Sequence, residues 1–89
     1  MKGNLVSMPK KLYGNNKYMK LIISYRIKEI REEQGMTIRE LERQSGVSRS
    51  QISDIENHNK DATVTTLCMI AIALGVLPSE LFEIKVINL

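Results

Sequence analysis

The sequence predicts an all-α domain of five short helices and leaves room for a short β-strand at its C-terminus. Three observations carry this. Apolar residues recur at helical spacing in several separate stretches, as in Ile23, Ile27 and Ile30. Hydroxyl residues precede those stretches where helix caps are needed, at Thr37, Ser48 and Thr63. Glycines follow them where helices end, at Gly35, Gly46 and Gly75.

The elements follow in order. Residues 1–20 hold Gly3, Asn4, Pro9, Gly14, Asn15 and Asn16, a density of breakers that opposes a long helix. Short extended pieces fit around Leu5-Val6 and Tyr18–Ile23. Met8 and Met19 are alternative starts. The first helix is expected from Ile23 to Gln34. Thr37 with Glu40 three residues on forms a capping box for the second, in which Ile38 and Leu41 face inward. Gly46 breaks that helix and Val47 plugs the turn. Ser48 caps the third, which buries Ile52 and Ile55 and shows Arg49, Ser50, Ser53 and Asp54 on its other side. A polar loop follows, Asn57 to Asp61. The fourth helix spans Val64 to Leu74. Pro78 suits the first position of a fifth, through about Glu83. Residues 84–89 alternate and are β-branched, as a strand would be.

With 89 residues the chain makes one small domain. Apolar residues form 43 % of it, enough for a core. The expected layout is a basic N-terminal tail at 1–20, a folded domain at 21–84, and a C-terminal segment at 85–89 that forms a strand or a dimer contact. The net charge of +3 is uneven. Five of the 13 basic residues (Lys2, Lys10, Lys11, Lys17, Lys20) lie in the tail with no acid beside them, leaving eight against all ten acids in residues 21–89, a net of −2. Binding to nucleic acid would therefore rest on locally placed arginines and on the tail.

No apolar run reaches the length of a membrane span, and no secretory leader is evident. The lone Cys68 makes no disulfide within the chain and reads as a buried structural thiol in a reducing, cytoplasmic setting. One His, one Cys and no convergent carboxylates or glycine-rich phosphate loop argue against an enzyme, a metal or a cofactor.

The stretch Met36 to Asn57 is two short helices joined by a tight turn, a geometry that presents the second helix to the major groove of DNA. Gly46 permits the turn. Ser48 sets a hydroxyl at a helix N-terminus, where free N–H groups attract phosphate. Arg49 is a fork of donors that suits guanine O6 and N7, and Ser50 is short enough to let the helix approach. Asp54, one turn on, suits a cytosine amino group or the orienting of Arg49.

Residues 24 to 83 resemble the phage-repressor-like helix-turn-helix family, which includes lambda-type repressors and Cro proteins. The resemblance rests on Arg26-Ile27-Lys28-Glu29-Ile30-Arg31, Gly35, Thr37, Leu41, Gly46-Val47-Ser48-Arg49-Ser50, Ile52-Ser53, Ile55-Glu56-Asn57, Leu67, Ile70-Ala71 and Ala73-Leu74-Gly75-Val76. It implies a five-helix lambda-repressor-like domain that binds double-stranded DNA. It implies that Ser48, Arg49, Ser50 and Asp54 face bases, that Thr37, Arg43 and Asn57 touch phosphates, and that Arg31 and Glu56 form a structural ion pair. Three positions depart from the family: Ile38 where glutamine is common, Glu42 where a small residue is usual, and His58 in place of a glycine. His58 there suits a helix end in the left-handed conformation. The fourth helix is apolar nearly all round, which asks for cover from the N-terminal tail, the C-terminal strand or a second subunit. A homodimer through the fourth and fifth helices and the C-terminal segment is the favoured reading, with Met69 and Ile72 on its candidate face. The expected function is a dimeric prokaryotic or phage-type repressor on a two-fold operator. The alternative is a protein-interaction module of the same fold, an antitoxin or an adaptor for another regulator.

Overall fold

The computed structural model describes residues 3–7 and 18–88. Lys2, Lys10, Lys11 and Lys17 of the tail lie outside the described residues, as do Met8, Pro9, Gly14, Asn15 and Asn16. Two strands, β1 (Gly3–Ser7) and β2 (Tyr18–Tyr25), precede four helices: α1 (Ile27–Glu33), α2 (Ile38–Ser45), α3 (Arg49–Glu56) and α4 (Val64–Leu74). A single 3-10 turn at Pro78–Leu81 leads into β3 (Phe82–Asn88). The strands form one antiparallel sheet in the order β1-β2-β3.

The five-helix, all-α expectation is therefore wrong in two places. The first helix starts at Ile27, because residues 23–25 belong to β2, where Ile23 pairs with Ile84 and Tyr25 with Phe82. The spacing of Ile23, Ile27 and Ile30 fits a helix, but cross-strand pairing with the far end of the chain prevails over it. The fifth helix is only the 3-10 turn. Glu80 accepts the N–H of Leu77 through its side chain at 2.6 Å, and Phe82 is already extended at φ −147°. The helical turn has no room to lengthen before the strand begins.

Helix ends follow local chemistry. Thr37, Ser48 and Thr63 each accept the N–H of the residue three positions on. Gly46 (φ 77°) and Gly75 (φ 69°) close α2 and α4 in the left-handed conformation that costs other residues energy. His58 also adopts it (φ 61°), directly after α3.

The core joins all four helices: Ile27, Ile30, Leu41, Val47, Ile52, Ile55, Leu67, Ile70, Ala71, Leu74 and Leu81. Tyr25 and Phe82 are the sheet's contribution to it. Sheet and helices are fastened at this root. Arg26 donates its backbone N–H to Leu81 at 2.8 Å. The Tyr25 hydroxyl accepts the N–H of Ala62 at 2.9 Å and donates to Asp61 Oδ1 at 3.2 Å. Burial, more than its bonds, pushes the Tyr25 phenol above its ordinary pKa. Further out, Ile84 is 58 % and Val86 43 % exposed.

Cys68 is half-buried rather than fully buried. Among the described residues, no helix is long and apolar enough to cross a membrane.

Candidate nucleic-acid interface

α2 and α3 meet across the turn Gly46-Val47-Ser48. Val47 is buried beneath it, and its N–H goes to Ser45 Oγ at 3.1 Å. The Ser48 side chain accepts from Gln51 N–H at 3.2 Å. The start of α3 has a second internal partner. Glu42, on α2, accepts the backbone N–H of Arg49 at 2.8 Å and lies 3.4 Å from the Arg49 Nε. The departure at Glu42 thus joins the two helices instead of separating them. Its carboxylate sits where the dipole of α3 favours an anion. A phosphate arriving there would have to displace it.

The outer side of α3 and the start of α2 line a shallow concavity formed by Ile38, Arg49, Ser50, Ser53 and Asp54. Ser48, Arg49 and Ser50 are exposed along this edge. Ile38 is half-buried, packs on the core and supplies an apolar wall. Asp54 does not orient Arg49. Its carboxylate lies 3.5 Å from Lys60 Nζ, while the Arg49 guanidinium is beside Glu42. Thr37 and Arg43 are exposed at the two ends of α2. Arg43 has no ion-pair partner among the described residues. Asn57 follows α3 and donates its amide to Ser53 Oγ at 3.2 Å.

Arg31 and Glu56 fix this surface from behind. Arg31 Nε and Nη2 each reach a different oxygen of Glu56 at 3.0 Å, and Nη1 donates to the carbonyl of Met36 at 3.0 Å. Arg31 is 11 % and Glu56 5 % exposed. The hydrogen bonds to Glu56 hold the guanidinium pKa above its ordinary value. This fork ties α1 to the last turn of α3 and to the segment that enters α2. On α4, the Met69 side chain lies next to Gly46, and Ile72 is 81 % exposed.

Two contributors escaped the sequence reading. Glu42 stood out only as a misfit; the clue was a carboxylate one turn before Gly46, within reach of the next helix start. Gln34 donates its amide to the carbonyl of Leu74 at 2.8 Å and ties α1 to the end of α4. No local pattern marks that bond.

The chain is 36 % identical over 63 residues to the HTH-type transcriptional regulator y4dJ of Sinorhizobium fredii (strain NBRC 101917 / NGR234), itself uncharacterized; the match spans 71 % of this chain and 82 % of that protein. Among solved structures it is similar to the restriction-modification controller protein C.AhdI from Aeromonas hydrophila. That match has TM-score 0.60 and 27 % identity over 62 % of this chain and 83 % of the other. It is also similar to a protein from Bacteroides fragilis designated DNA-binding, with TM-score 0.63 and 29 % identity over 70 % of this chain and all of the other. Residues 27–81, the span from α1 through the 3-10 turn, match the helix-turn-helix family, and the chain belongs to that family.

Proposed function

We propose that this protein is a cytoplasmic, sequence-specific DNA-binding transcription regulator that acts as a dimeric repressor on a two-fold operator. The observation that carries the reading is the exposed start of α3, with Arg49 and Ser50 on a shallow concavity and the helix pinned behind by Arg31 and Glu56. The names of the similar proteins, a transcriptional regulator, a controller protein and a DNA-binding protein, support it.

In this reading Arg49 exchanges Glu42 for a guanine edge, and Ser48, Ser50 and Asp54 face the neighbouring bases. Ile38 offers an apolar contact to a thymine methyl. Thr37, Arg43 and Asn57 hold the phosphates and set the register. The dimer draws on apolar surface that one chain leaves open, at Met69 and Ile72 on α4 and along β3. Two copies then address half-sites about one DNA turn apart.

The test is selection of bound duplexes from a random pool, followed by footprinting with competitor DNA at two salt concentrations. The expected result is a two-fold consensus with half-sites about 10 base pairs apart centre to centre. Arg49→Ala should weaken the selected site by about 1–3 kcal/mol and relax one base position. A pool without enrichment, bound only at low salt, would overturn the reading and favour a protein partner.

A further inference from the structure

α3 carries a carboxylate on the surface that would meet DNA. Asp54 lines the shallow concavity together with Arg49, Ser50 and Ser53. A bare carboxylate there would be repelled by the phosphates. The chain brings a counter-charge to it from outside the concavity. Lys60 Nζ lies 3.5 Å from Asp54 Oδ2, yet Lys60 lines a different, smaller cleft, with Gln51, Ile55 and Thr63. Among the described residues no hydrogen bond is made to the other oxygen, Oδ1.

The backbone places Lys60 beside Asp54. Directly after α3, His58 takes the left-handed conformation, φ 61°. The chain doubles back, and the N–H groups of Asn59 and Lys60 both donate to the carbonyl of Asp54, at 2.8 and 3.3 Å. Had α3 continued instead, Lys60 would stand about 9 Å further along the axis and on another face.

We propose that Lys60 is a specificity-determining residue: it holds Asp54 from behind, so that this carboxylate accepts the amino group of a cytosine in the major groove. This rests on the DNA-binding reading above and names one base that α3 reads.

The chemistry of the base edges selects cytosine. A carboxylate only accepts hydrogen bonds. Guanine and thymine offer acceptors in the major groove, which repel it. Adenine offers a donor, but its N7 acceptor stands beside it. Cytosine offers the N4 amino group without that neighbour. With Oδ2 beside Lys60, Oδ1 is the oxygen left for it. A pair as exposed as this one adds little to stability in water. Against DNA its loss leaves an uncompensated negative charge facing phosphates, so the effect falls on binding and not on folding.

The test selects bound duplexes from a random pool with the wild type, Lys60→Ala, Lys60→Arg and Asp54→Asn, and measures affinity for the wild-type consensus at several salt concentrations. Thermal melts check folding, and Lys60→Ala is expected to keep the wild-type midpoint. The wild type should require cytosine at one position. Asp54→Asn should move that position to adenine, which asparagine reads with two bonds. Lys60→Ala should flatten the same position alone and weaken the consensus about tenfold, while Lys60→Arg should keep both. In the Asp54→Asn background, removing Lys60 should no longer matter. A uniform loss on all duplexes, with the salt slope shallower by about 0.9 and base preference unmoved, would make Lys60 a phosphate contact and overturn the proposal. An equal loss in the Asp54→Asn background would overturn it too. Either result leaves the DNA-binding reading intact, whereas a wild-type pool without enrichment retires both.

Discussion

From Ile27 to Leu81 the core side chains are nearly sealed, and α2, α3 and α4 each start on a hydroxyl cap. In the sheet, the equally apolar Ile84 and Val86 stay exposed to water, while Met19 is buried and Tyr25 and Phe82 pack against the helical core. The helical half satisfies its own chemistry through short-range caps and one part-buried ion pair. The sheet half is held by backbone pairing and leaves an apolar surface that one chain does not cover. The helical region holds its shape by closing on itself, and the sheet keeps apolar side chains in contact with water.

The strongest way to break this contrast is to open the closed half. Arg31→Ala leaves Glu56 nearly buried without its partner and should cost about 3–5 kcal/mol in urea unfolding. Replacing both residues with apolar side chains of similar size should recover much of that loss. Equal losses for the single and double variants would show that the site needs the fork itself.

A smaller effect is expected at the helix junction. Glu42→Ala removes the side-chain acceptor of the Arg49 N–H and should lower stability by about 1 kcal/mol, read from the thermal midpoint. An unchanged midpoint would mean that water replaces the carboxylate at no cost.

An effect of similar or smaller size joins the two halves. The pKa of Tyr25 is raised on folding, so its contribution is whole below the ordinary value of 10.0 and is lost as pH rises through the raised one. Tyr25→Phe should cost about 0.5–1.5 kcal/mol at neutral pH. The gap between wild type and variant should close under more alkaline conditions. A gap that widened there would reverse the assigned cause.

What could be read from the sequence divides along the same line. Thr37, Ser48 and Thr63, with Gly46 and Gly75, mark helix ends because capping acts over three or four residues. The sheet was far less legible. Ile23 and Ile27 have the right spacing for a helix, and the pairing of Ile23 with Ile84 depends on a fold that first brings them together. Arg49 and Asp54 were identifiable at the candidate site, but not their partners. Arg49 goes to Glu42 and Asp54 to Lys60, choices made by distances across a turn and a loop.

The pairing of β2 with β3 has a consequence for the order of folding. The two strands flank the whole helical segment, so joining them in an unfolded chain would close a long loop at high entropic cost. Once α1 through α4 have packed, the ends already lie side by side, and the bond from Arg26 to Leu81 sets the first rung. The strands can then zip outward from Tyr25 and Phe82. Contacts between distant segments form late for this reason. Any partner that recognised the outer edge of β3 would therefore meet only chains whose helices are already in place, and assembly at that edge would proofread folding.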